Sequence, residues 1–293
     1  MITTLSAMRN PLTKALIIVL ALLLSACSAV RLAYDQGPTL GWWWIDGYFD
    51  FPSDSAPRVK QSLDQWFAWH RATQLGDYAG LLVAAQAQVM EPATPAQVCR
   101  WVDEFRARAQ PALERAIPLA ADIVPTLTPA QLQHAERKYA KVNDEMRDEY
   151  LQTRPDERLE ASVKRAVERA EMLYGRLDEP QRKLIAAGVA ASPFDADAWL
   201  AERKTRQRET LQTLRRLVAE RADHDSIVAA LRVLAQQADR SQRPDYRAYQ
   251  QRLNDHNCQW VAAVHNATTP AQRRVARDRL KGWEADLRSL VAS

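Results

Sequence analysis

Cys27 closes the tetrapeptide Leu24-Ser25-Ala26-Cys27, behind the apolar run Ala15 to Leu24 and the two cations Arg9 and Lys14. A run of about ten apolar residues is half of what a membrane-crossing helix needs and suits the apolar region of a signal peptide. The small residues Ser25 and Ala26 admit a peptidase, so the pattern predicts cleavage between Ala26 and Cys27. The Cys27 thiol would become a diacylglyceryl thioether, with palmitate-type acyl chains holding the mature chain on a membrane. Each buried methylene is worth about 0.8 kcal/mol and one chain holds only weakly, so several chains are needed for a firm anchor. The competing reading is an uncleaved anchor helix with an incidental cysteine. Ser28 follows the acylation site where an Asp commonly retains such proteins at the inner membrane, which points to the periplasmic face of the outer membrane.

With Cys27 given to lipid, Cys99 and Cys258 remain as a pair in a chain exported to an oxidising space. A Cys99–Cys258 disulfide is predicted; the alternative is two buried free thiols acting as small hydrophobes. Other chemistry finds little support. The five histidines, His70, His134, His224, His256 and His265, include no HExxH pair, and His256 and His265 point to different sides of one helix, so no metal site is predicted. There is no GxSxG elbow and no glycine-rich phosphate loop, so no catalytic residue and no cofactor are assigned. Ser192-Pro193-Phe194-Asp195 interrupts two helical patterns and could mark a site; its simpler reading is a turn leading to an Asp N-cap. The acids Asp144/Glu145 and Asp148/Glu149 read as a solvated helix face, since an acid/base couple needs unequal environments. Trp66, Trp69 and His70 could line a pocket or simply fill the core. His265-Asn266-Ala267-Thr268 contains a glycosylation tripeptide by chance, and Asn266 reads as a helix end.

Trp42-Trp43-Trp44, followed by Ile45, Tyr48, Phe49 and Phe51, is the densest aromatic patch. Lying so soon after Cys27, it could touch the bilayer or a membrane partner, because Trp and Tyr suit the interfacial layer. The alternatives are packing onto the body, where the rings bring large apolar area to a core, and a ligand groove.

The elements that must position these residues are helices. Only eight glycines occur in 293 residues, Ala, Leu, Arg, Gln and Glu dominate, and apolar residues recur at three and four. Predicted helices span 57–74, 76–91, 95–109, 111–124, 129–151, 156–175, 179–190, 195–221, 225–240, 244–266 and 270–291. Thr-Pro-Ala-Gln begins at Thr94, Thr128 and Thr269, with Asp178-Glu179-Pro180-Gln181 as a variant; each predicts a capping box with Pro in the first turn. The middle of the 195–221 helix, Glu202 to Glu209, is polar and is expected at the surface or bridging subdomains. The fold class is therefore all-α, a bundle-like array of about ten to eleven helices with short connections. The division is a signal peptide at 1–26, an aromatic-rich and least regular link at 27–56, and a helical domain at 57–293. About 270 residues survive cleavage, enough for a substantial core. Two of the +4 formal charges leave with Arg9 and Lys14, and the rest are interleaved with acids, which argues against nucleic acid as a partner.

Several local patterns carry a resemblance. They are the run Leu24 to Tyr34, the Trp cluster with Asp46-Gly47-Tyr48, Trp69-His70-Arg71, Tyr174-Gly175-Arg176-Leu177, Ser192 to Asp195, His265 to Arg273, and Gly282-Trp283-Glu284. Together they resemble a family of helical proteobacterial lipoproteins classed as a domain of unknown function. The resemblance implies a helical envelope lipoprotein and transfers no functional residue. Leu127-Thr128-Pro129-Ala130-Gln131 is similar to a motif of small periplasmic helical chaperones, although Thr-x-x-Gln is also simply a capping box. The expected function is non-enzymatic: a lipid-anchored helical body that binds or scaffolds a periplasmic or membrane protein. A chaperone or foldase is the alternative, and an envelope enzyme is the third.

Overall fold

A computed structural model describes residues 30–152 and 154–292. The signal segment and Cys27, with Leu24, Ser25, Ala26 and Ser28, lie outside the described residues. Within them the chain is all-helical and contains no strand. A helical stretch at 30–35 leads into α1 (Gly37–Phe49), α2 (Ala56–Thr73), α3 (Leu75–Gln88) and α4 (Pro95–Ala121). After a 3-10 turn (Val124–Thr126) come α5 (Pro129–Tyr150), α6 (Pro155–Tyr174), α7 (Glu179–Ala190) and α8 (Ala196–Ala219). The chain ends with α9 (His224–Asp239), α10 (Pro244–Asn266) and α11 (Pro270–Val291).

Helix starts follow the capping chemistry. The hydroxyls of Thr94, Thr128 and Thr269 accept from the backbone N–H of Gln97, Gln131 and Gln272, and each Gln side chain accepts in return from its cap residue's N–H. Asp178 and Gln181 do the same for α7. Two of these boxes are also joined to each other. Gln181 and Gln272 exchange amide hydrogen bonds, Nε2 to Oε1, at 2.7 and 2.9 Å, which ties the start of α7 to the start of α11. Asp195 caps α8 by accepting from Ala198 N–H at 2.9 Å. α6 stops at Gly175, whose φ of 77° suits a residue without a side chain.

Two helix boundaries differ from the sequence expectation. Residues 95–121 form one helix, not two, with Pro111 and Pro118 inside it. An interior proline removes one intrahelical hydrogen bond. Here neighbours grip the same stretch: the Trp66 indole donates to the Ala112 carbonyl at 2.9 Å and the Tyr78 hydroxyl to the Arg108 carbonyl at 3.3 Å. The stretch expected to be least regular holds the 13-residue α1. Pro38 sits in its first turn, where no N–H is missed. Gly37 and Gly41 are points of close approach rather than breaks: a Cβ on Gly37 would lie 2.4 Å from the Phe67 ring, and one on Gly41 3.4 Å from Leu63.

Apolar residues gather in two clusters. The first joins Phe51, Val59, Ala121, Val124, Leu127, Leu132, Leu214, Leu217 and Ile227, drawn from α2, α5, α8, α9 and the end of α4. The second joins Val167, Tyr174, Leu177, Ile185, Val264 and Ala276, from α6, α7, α10 and α11. The long α4 packs on α10 and on α9, and α3 lies along α11. The Cys99 and Cys258 sulfurs, on α4 and α10, are 2.01 Å apart, the distance of a disulfide.

The polar middle of α8 does not lie wholly at the surface. The Glu202 side chain is only 3 % exposed, and both its oxygens accept from Arg243 at 2.6 Å, fastening α8 to the loop before α10. Burial alone would raise the Glu202 pKa; hydrogen bonds from Arg243 and Ser241, with the charges of Arg243 and Arg206, hold it below the usual range. Asn143 of α5 bonds Gln207 and Arg203 of α8, so the same stretch also bridges to α5.

Candidate functional site

α1 and the helical stretch before it form the candidate site, because they stand where the chain emerges from its N-terminal segment. One face of α1 docks. Trp42, Ile45 and Phe49 pack on the first core cluster, and the Lys60 ammonium lies 4.6 Å over the Trp42 ring. Tyr48 meets Tyr139 of α5 at 5.4 Å between ring centroids. The other face is left open: Trp43 and Trp44 are 64 % and 67 % exposed, and Leu40 is exposed one turn earlier. Positions 40, 43 and 44 share a helix face. The tryptophan triplet is thus divided, with Trp42 in the body and Trp43 and Trp44 on the surface.

The segment before α1 is held to α2. Tyr34 hydroxyl and His70 Nδ1 are 2.8 Å apart. Arg71 pairs with Asp35 at 2.7 Å and stacks over the Tyr34 ring at 5.4 Å. His70 is buried and lies against Trp66 (ring centroids 4.7 Å apart) and Tyr78 (5.4 Å). Burial lowers the His70 pKa and pushes the Tyr34 hydroxyl up to about 12. His70 and Arg71 therefore hold the N-terminal segment to α2, with Trp66 and Trp69 packed beside the His70 ring. Sequence reasoning missed this role, because Tyr34 and Asp35 lie 36 residues from their partners.

The remaining candidates are dispersed. His265 is buried, with Nε2 donating to the Glu91 carbonyl at 2.7 Å and Nδ1 lying 2.8 Å from the Tyr174 hydroxyl. A carbonyl can only accept, so Nε2 carries a proton, and in the neutral ring Nδ1 is then the acceptor for the tyrosine hydroxyl. Burial, aided by the charge of Arg273, lowers the His265 pKa, and burial pushes Tyr174 up to about 12. His256 bonds the Gly188 carbonyl at 3.0 Å, and His224 lies 3.4 Å from Asp122. Among the described residues no group of three or more His, Cys, Asp or Glu is placed to hold a metal ion. Asp144, Glu145, Asp148 and Glu149 are exposed on α5. Asn266 clamps the lead into α4, its amide exchanging two 2.8 Å bonds with the Ala93 backbone. Ser192, Phe194 and Asp195 line a cleft at the start of α8.

A second, mostly apolar cleft of about 520 Å³ lies beside the disulfide, lined by Val89, Val98, Trp101, Leu173, Val261 and Leu280 among others. None of the described helices is long and apolar enough to cross a membrane.

An all-α array with a split aromatic helix at its entry defines the class of protein. More particularly, the chain belongs to a family of unknown function, DUF6279, whose model matches residues 47–247. The match takes in the end of α1 and runs into α10. No curated protein and no solved structure matches the chain.

Proposed function

We propose that the protein is an envelope lipoprotein without catalytic activity, tethered through Cys27, whose helical body lies close to the bilayer and binds or scaffolds a periplasmic or membrane protein. The observation that carries the reading is the open face of α1, where Leu40, Trp43 and Trp44 stand exposed shortly after the acylation site. The three residues from Cys27 to Val30 can span at most about 10 Å. The Tyr34–His70 and Arg71–Asp35 contacts then hold the following segment to the body. A body attached so closely brings these rings to the interfacial layer that Trp favours. The buried imidazoles of His70 and His265 serve internal hydrogen bonds, which supports a structural role for both.

Cell fractionation tests this reading. The native chain is expected in the membrane fraction, and Cys27→Ser is expected to move to the soluble fraction when cells are washed with high salt. Trp43→Ser/Trp44→Ser, with Cys27 intact, should remain on membranes yet become more open to protease near α1. Firm membrane retention of Cys27→Ser at unchanged processing would contradict the proposal.

The apolar cleft beside the disulfide supports a second reading, a chaperone that cradles unfolded segments. That reading requires the purified protein to suppress aggregation of a reduced, unfolded client, with Trp101→Ser weakening the effect.

A further inference from the structure

A cleft of about 840 Å³ opens between α6, the end of α7, the turn into α8, and α10. Its α6 wall carries Arg158, Ser162, Arg165 and Arg169. Spacings of four, three and four put these residues on one helix face, along about 16 Å. Among the described residues none of the three arginines forms an ion pair within 4 Å. Arg165 donates to the Ser162 hydroxyl at 3.1 Å and lies over the Tyr150 ring at 4.6 Å. The Nε of Arg158 is buried without a hydrogen-bond partner. Two carboxylates face this wall. Asp195 is committed to capping Ala198, and Asp197 stands exposed in the first turn of α8.

Across from that wall lie the rings of Phe194, Trp199 and Trp260, interspersed with the polar Ser192 and Asn257, while the exposed Leu159 stands on the α6 side. Gly188 shapes its floor: a Cβ there would lie 2.0 Å from the Trp260 ring, so the two helices meet with no room for a side chain. Arg165 and Arg169 stand one turn apart, a spacing at which like charges repel and an anion between them is favoured. Guanidinium groups present planar donor pairs that match carboxylate and phosphate oxygens.

We propose that this cleft binds a small anionic amphiphile, its carboxylate or phosphate held by Arg165 and Arg169 and its apolar part lying against Phe194 and Trp199. The site is separate from the α1 face, and the inference is independent of how the chain is anchored.

Calorimetric titration of the full-length protein in a detergent-free amphipathic polymer provides the test. The probes are 1-naphthyl phosphate and 1-naphthoate, with inorganic phosphate and 1-naphthol as the separated halves. Saturable binding of at least one naphthyl anion, one per chain and at least tenfold tighter than either half, is expected. Arg165→Gln/Arg169→Gln should weaken it at least tenfold. Arg169→Gln alone, at an exposed position that leaves the fold intact, and Phe194→Ala should each weaken it several-fold. Absence of saturable binding, equal binding by the charge variants, or inorganic phosphate binding as tightly as the naphthyl anions would overturn the proposal.

Discussion

His265 and His70 are buried imidazoles, each facing a tyrosine hydroxyl at 2.8 Å and each with its pKa lowered by burial. In the unfolded chain an imidazole takes its proton near 6.5. Below that pH the unfolded state binds more protons than the folded one, so stability rises with pH in this range. The contribution is complete above the unfolded value and is lost as the pH falls toward the lowered folded values. These imidazoles should therefore add no slope to the melting temperature above about pH 7 and make it decline as the pH falls below about 6.5. His265→Gln should flatten that decline, and an unchanged slope would show that the imidazole does not titrate as described. Glu202 belongs to a lower window. Its pKa is held below the ordinary 4.5, so its contribution is present above that value and lost as the pH falls through the folded one. Removing the carboxylate leaves Arg243 without its bidentate partner. Breaking a fully buried pair costs roughly 3–5 kcal/mol; with Arg243 partly in solvent, Glu202→Ala should cost about 2–3 kcal/mol in urea unfolding. A loss under about 0.5 kcal/mol would mean that Glu209, 3.0 Å from Arg243, and water serve the guanidinium equally well.

At the scale of elements, the disulfide and the caps arrange the helices. Cys99 and Cys258 join α4 to α10 across a sequence separation of 159. Closing so long a loop in the unfolded chain should stabilise the fold by about 2–4 kcal/mol. Reductant should then lower the urea midpoint, whereas an unmoved midpoint with two alkylatable thiols would mean that no bond forms. Helix starts were legible because capping is local: Thr94, Thr128, Asp178, Asp195 and Thr269 each sit three residues before the group they serve. What local reading could not supply was the partner. Pro111 looks like a helix end until Trp66 and Tyr78 arrive from other helices, and Gly37 and Gly41 look like a loose link until Phe67 and Leu63 lie against them. The same holds for Gln181 and Gln272, which read as two separate caps and prove to be one hydrogen-bonded pair. For the candidate site, the sequence located the tryptophan triplet but not its division, since which rings face out depends on where α2 and α5 pack.

For the whole molecule, the proposed function turns on how closely the body follows Cys27. Residues 30–36 are fastened to α2, α1 buries one face and exposes the other, and the body follows within a few residues of Cys27. The proposed lipid on Cys27 would let the body sit on the bilayer without reaching far from it, which would favour partners at or near the membrane. The arginine-lined cleft at the start of α8 and the apolar cleft beside the disulfide lie on other parts of the array, so either can be altered without touching α1. The most direct test of the central claim is the intact mass of the native chain extracted from bacterial membranes, with sequencing of its first tryptic peptide. The expected result is a chain that begins at Cys27 and carries the mass of a diacylglyceryl group and an amide-linked acyl chain. A chain that begins elsewhere, with an unmodified Cys27, would contradict it.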